Sequence, residues 1–87
     1  MRRADPHQGL VRALHRRHPH LQIVSAQTEP WASATFTGMR HLLRCTPLSL
    51  DGLEDAEFGL PGNIVADITF GFDAGLLIID ALTIETD

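Results

Sequence analysis

The chain has no lysine and no tyrosine, and only one cysteine (Cys45) and one tryptophan (Trp31) in 87 residues. A lone cysteine excludes an internal disulfide and any zinc site built on a CxxC pair. The longest apolar run, "GLLII" from Gly75 to Ile79, falls far short of the ~20 residues that span a bilayer. The N-terminal "MRRADPHQGLVRALHRRHPH" carries arginines but no apolar stretch of signal-peptide length. A cytoplasmic protein without membrane contact is therefore expected. Neither a Walker A pattern nor a GxGxxG occurs, so no phosphate cradle and no cofactor is implied.

What is present is the composition of a globular domain. At 44% hydrophobic and 21% charged, the chain is too apolar for disorder. Its length suits a single domain over 1–87, small enough that a partner surface can extend its core. All formal positive charge is arginine, which reflects codon usage more readily than chemistry. Its distribution says more. Residues 1–45 hold seven arginines against Asp5 and Glu29, a balance of +5; residues 46–87 hold nine acids and no arginine, a balance of −9. Such halves can neutralise each other within the fold, meet across a dimer, or leave the basic half to an external anion.

Asp5-Pro6 is a helix start: an N-cap acceptor, then proline at the first helical position. Leu10, Val11 and Leu14 follow at helical spacing, basic residues gather toward the end, and Pro19 stops the element. A helix over 6–18 is predicted, with 1–4 a loose tail. "LQIVSAQ" (21–27) reads as a strand, "TEPWAS" as a loop because Pro30 breaks the ladder, and 33–45 as the returning strand of a hairpin. Residues 48–62 read as a loop or a short helix capped by Asp51. "NIVADITF" (63–70) alternates, "GFDAG" turns, and "LLIIDALTIET" (76–86) returns.

The order α-β-β-α-β-β predicts an α+β two-layer sandwich, a four-stranded antiparallel sheet with one main and one short helix. It is the order of a circularly permuted ferredoxin-like fold.

Within "FTGMRHLLRC", the apolar parity changes from Phe36 to Met39, which predicts a β-bulge at Gly38. Phe36, Met39, His41, Leu43 and Cys45 then face the core side, and Arg40, Leu42 and Arg44 the other. In the last strand Leu76, Ile78, Leu82 and Ile84 are assigned to the helix side. That leaves Leu77, Ile79 and Val65 apolar without cover, so these three are the expected interface of a homodimer formed sheet to sheet.

Candidate chemistry is sparse. His15, His18 and His20 lie among arginines, Pro19 divides them, and the third or fourth ligand that zinc needs is missing, so no metal site is expected. His41 and Cys45 are about 13 Å apart along an extended strand, too far for a thiolate–imidazole pair. Asp67 and Asp80 come near each other only if the second hairpin pairs suitably. No catalytic residue is named.

The function that fits is a binding or assembly module that self-associates through its sheet. One alternative is a small-ligand or enzyme site of Trp31, Arg40 and His41. The other is nucleic-acid contact through the basic helix, which the acidic total and the absent tyrosines oppose.

Overall fold

Asp5 starts the chain's one described helix as its residue type predicts. The computed structural model describes residues 5–48, 60 and 62–86, and its first element is α1, Pro6–Arg17. The Asp5 carboxylate accepts the backbone N–H groups of His7 and Gln8 at 2.9 and 3.4 Å. These are donors that a first turn leaves without intrahelical partners. His15, Arg16 and Arg17 occupy the last turn, where positive charge meets the negative end of the helix dipole. Leu10, Ala13 and Leu14 form the buried stripe, the i, i+3, i+4 spacing of one helix face.

Four strands follow: β1 (Ile23–Ala32), β2 (Thr37–Cys45), β3 (Asn63–Asp73) and β4 (Leu76–Glu85). They form one open antiparallel sheet in the order β1-β2-β4-β3. The fold is thus α+β, a four-stranded antiparallel sheet with one helix against it. The short helix expected within 48–62 falls outside the described residues, although Leu48 and Leu60 at either end join the apolar cluster under α1. Among the described residues no helix is long and apolar enough to cross a membrane.

The first hairpin departs from expectation. β1 continues through Pro30, which stands opposite Met39, and Trp31, opposite Gly38. Pro30 does not break the ladder because β1 is an edge strand, one of whose hydrogen-bonding sides has no neighbour. The loop is confined to residues 33–36, closed by the Ser33 N–H donating to the Phe36 carbonyl at 2.8 Å.

Gly38 is not a bulge. It pairs in unbroken register with Trp31 and with Ile84, and burial alternates from Met39 to Cys45. The glycine is required by proximity: a Cβ there would lie 2.0 Å from the Thr83 carbonyl oxygen and 2.8 Å from Trp31 Nε1. The register shifts lie elsewhere, between Ile23 and Ser25 in β1 and between Val65 and Asp67 in β3.

The second shift moves Val65 off its expected face. An extra residue, Ala66, puts Ile64 on the same side as Asp67 and Thr69, while Val65, Ile68 and Phe70 go to the helix side. β4 is inverted. Leu77, Ile79 and Ala81 are buried with Leu43, Cys45, Leu10 and Leu14 in the core beneath α1. Leu76, Ile78, Leu82 and Ile84 are half-buried on the open side. Leu77, Ile79 and Val65 are therefore not an uncovered surface: the first two have no exposure, and Val65 packs against the core. The physical reason is the helix itself. The covered parity is Leu77, Ile79 and Ala81, all buried, whereas the opposite parity would have buried Asp80.

Two expectations follow. Gly38→Ala drives a methyl into the β4 backbone and is expected to cost at least about 2 kcal/mol in urea unfolding; Gly71→Ala, with nothing within 4 Å of the added atom, is expected to stay within about 0.5 kcal/mol. The two residues that turn β3 into β4, Ala74 and Gly75, both have positive φ, 51° and 78°. That is the backbone of a type I′ hairpin, which favours Asn-Gly and strains alanine. Ala74→Asn is expected to raise stability by about 0.5–1 kcal/mol in the same assay.

Candidate functional site

Consecutive residues of a strand point to opposite faces, and that rule divides the expected Trp31, Arg40 and His41 cluster. Trp31 and Arg40 lie on the open face. His41 lies on the helix face, fully buried. The three do not form one site.

On the open face Arg40 Nε is 3.5 Å from Asp80 Oδ1, with the side chains 63% and 43% exposed. At that exposure the pair is worth little by itself, about 0–1 kcal/mol. Gln27, Thr28, Glu29, Leu42, Arg40 and Asp80 line a shallow, open depression around it. Asp67 stands opposite Leu82 and Asp80 opposite Thr69, so the two aspartates are offset by one row and do not form a facing carboxylate pair. The Trp31 indole reaches over Gly38, and its Nε1 is buried without a hydrogen-bond partner among the described residues. Arg44 on β2 and Thr69 and Asp73 on β3 share this face, and apolar side chains lie among these polar groups. Leu42 on β2, Ile78, Leu82 and Ile84 on β4, and Ile64 on β3 form the apolar part of its surface, with Ile64 50% exposed.

On the helix face a chain of hydrogen bonds crosses the core. Thr83 Oγ1 donates to the Met39 carbonyl at 3.2 Å and is 2.9 Å from His41 Nε2. Since the threonine proton is engaged, its oxygen accepts, and the proton of neutral His41 sits on Nε2. His41 Nδ1 is then an acceptor, and His7 Nδ1 lies 3.1 Å away, supplying an N–H. The two rings stack nearly parallel, 8° apart in plane with centroids at 5.3 Å. Burial pushes the His41 pKa from 6.5 down to about 4, helped by His7 and opposed by Asp5. His41 is therefore neutral across the physiological range. Sequence reasoning missed His7; its only signal was its place in the first turn of a helix whose apolar stripe packs on the sheet.

The remaining candidates are structural in their contacts. His15 Nε2 donates to the Leu21 carbonyl at 3.0 Å, tying the helix end to the approach to β1. His18 is the C-cap, its backbone N–H bonded to the Leu14 carbonyl at 2.7 Å. Among the described residues no three His, Cys, Asp or Glu side chains converge as metal ligands. Cys45 is free and buried, and burial raises its thiol pKa, so it is a poor nucleophile at neutral pH. Arg12, Arg16 and Arg17 are exposed on α1. Together with Arg44 they form no ion pair among the described residues.

Among the described residues, fold and site define an α+β domain with a helix on one face of its antiparallel sheet and no helix or strand on the other. No protein-family model, curated protein or solved structure matches the chain, so its function is read from this geometry.

The histidine chain has a measurable energetic weight. His41→Ala leaves a cavity and strands both Thr83 and His7, and is expected to cost about 3 kcal/mol. His7→Ala, at a half-buried position, is expected to cost about 1 kcal/mol. Urea unfolding at neutral pH ranks the two, and an equal cost would remove His41 from the centre of the network.

Proposed function

We propose that the protein is a binding and assembly module that pairs with a second copy of itself through the open face of its sheet. The carrying observation is β4. This interior strand is apolar on both faces, yet α1 covers only the Leu77, Ile79 and Ala81 side. A one-sided antiparallel sheet ordinarily alternates apolar with polar residues. Here Ile78, Leu82 and Ile84 share the open face with Leu42 and Ile64, with Asp80 set between Ile78 and Leu82.

Three further features support a second copy as the occupant. Size is the first: four strands about 4.8 Å apart and about 30 Å long present about 580 Å² per partner, or about 1,150 Å² in all, which clears the ~1,000 Å² expected of a specific interface. Charge is the second. Arg40 and Arg44 lie on β2, and Asp80, Asp67 and Asp73 on β4 and β3. A two-fold axis along the strands lays each β2 over the partner's β4, with Arg40 and Arg44 one row either side of Asp80. The third is the state of the edges. β1 carries a bulge and Pro30, and β3 carries a bulge; both devices oppose strand-to-strand addition and leave the face as the route to association.

The strand order β1-β2-β4-β3 supports reading the architecture as a permuted ferredoxin-like sheet. The single unpaired cysteine supports a cytoplasmic setting.

Sedimentation velocity at micromolar concentration tests the assembly. The wild-type chain is expected to sediment as a dimer, and Leu82→Lys as a folded monomer of 9.6 kDa. Ile79→Lys, which places charge under α1, is expected to unfold the domain instead. A wild-type monomer at every concentration, or a Leu82→Lys protein that still dimerises, would refute the proposal.

A further inference from the structure

We propose that His7, His41 and Thr83 form a latch that holds the first turn of α1 on the sheet and opens on acidification. The geometry states why. In the docked arrangement His41 has one proton, on Nε2, committed to Thr83, whose own proton is committed to the Met39 carbonyl. Its Nδ1 faces the Nδ1–H of His7 at 3.1 Å. A proton on His41 Nδ1 sets two N–H groups against each other with no acceptor between them. An imidazolium in this place keeps its Nε2–H on Thr83 but has no acceptor for its Nδ1–H in the docked arrangement, and burial of a charge in that state is costly.

The surroundings favour neutrality on balance. From α1, Asp5 and His7 face His41. Asp5 alone favours its charged form, but that carboxylate already accepts from the His7 and Gln8 backbone N–H groups. The positive end of the α1 dipole disfavours a cation. From the neighbouring strands the residues in register are uncharged: Thr28 on β1 and Ala81 on β4, with Thr83 accepting the hydrogen bond.

The release is local because the helix has two separate anchors. Leu10, Ala13 and Leu14 begin at the second turn and hold the rest of α1 in the core. The first turn has His7. Gly9, a poor helix former, lies between the two anchors and allows the chain to bend there. The sign of the pH effect follows from a docked value near 4 against 6.5 in the free side chain. The undocked state binds more protons between these values, so docking is full above about pH 6.5 and weakens as pH falls toward 4. The docking constant is expected to fall by on the order of 100-fold across that interval.

Amide hydrogen exchange and imidazole ¹⁵N shifts of the full chain, followed from pH 7.5 to 4.5, test the latch. The Gly9 amide, which donates to the Asp5 carbonyl at 3.0 Å, reports the first turn, and the Ile79 amide reports the core. After correction for intrinsic rates, Gly9 is expected to lose protection on acidification at least tenfold more than Ile79. Exchange in His41→Leu/Thr83→Val, which replaces the polar pair with apolar groups, is expected to show no such difference. The proposal is overturned if Gly9 and Ile79 lose protection in parallel. It is equally overturned if the double variant keeps the wild-type response. Should that variant fail to fold, the wild-type shifts decide: His41 remaining neutral with Nε2 protonated while docked supports the latch, and an imidazolium at His41 above pH 6.5 with Gly9 still protected refutes it.

Discussion

One helix can cover only one face of a sheet, and every other feature of this domain is arranged around that limit. β4 is an interior strand, flanked by β2 and β3, and it is apolar on both sides. Leu77, Ile79 and Ala81 take the cover that Leu10, Ala13 and Leu14 supply, with Leu48 and Leu60 joining from the connection between the two hairpins. Full burial of a Leu or Ile is worth about 1.5–3 kcal/mol, so this layer sets the fold. The other side keeps Ile78, Leu82 and Ile84 half-exposed beside Leu42 and Ile64. Among the described residues no helix or strand lies over them. The assembly reading rests on that imbalance.

The same limit shapes the polar part of the core. Where the apolar stripe of α1 has not yet begun, the helix meets the sheet through imidazoles. His41 and Thr83 would be misplaced polar groups if they were alone under the helix. Linked to His7 and the Met39 carbonyl, each has its hydrogen bond, which is the condition for burying polar atoms without penalty. A network of this kind fixes the helix in one register on the sheet, because sliding α1 by a turn would take His7 away and leave His41 Nδ1 unsatisfied. It also makes the docking sensitive to one proton, which an apolar contact is not.

Much of the fold was legible in the residues, and the misreadings have identifiable causes. Asp5-Pro6 gave the helix start because capping is a local event, complete within four residues. The four strands and two hairpins followed from alternation and from turn residues, and Arg40 and His41 were correctly set on opposite faces. Most of the errors concern parity. In β4 both parities are apolar, so alternation could not choose between them; the cue that Asp80 belongs to the set 76, 78, 82, 84, and so marks the open face, was there to be weighed. In β3 the bulge at Ala66 falls inside a run that alternates well by eye, and no glycine announces it. Gly38 announced a bulge that is not there, since a glycine required by a carbonyl on the neighbouring strand looks the same in sequence as one required by a kink. Pro30 was taken for a break because edge and interior strands cannot be told apart before the strand order is known. The His7–His41 contact joins residues 34 apart through tertiary packing, and no local pattern carries it.

The central claim is that the open face of the sheet is where two copies meet, and its most direct test is contact between the copies themselves. In a sample mixed from methyl-labelled and unlabelled, deuterated-background chains, isotope-filtered spectra report only protons close across an interface. The account predicts intermolecular contacts at the methyl groups of Leu42, Ile78 and Leu82. Contacts confined to α1 or to the edges of β1 and β3, or no intermolecular contacts at millimolar concentration, would contradict it.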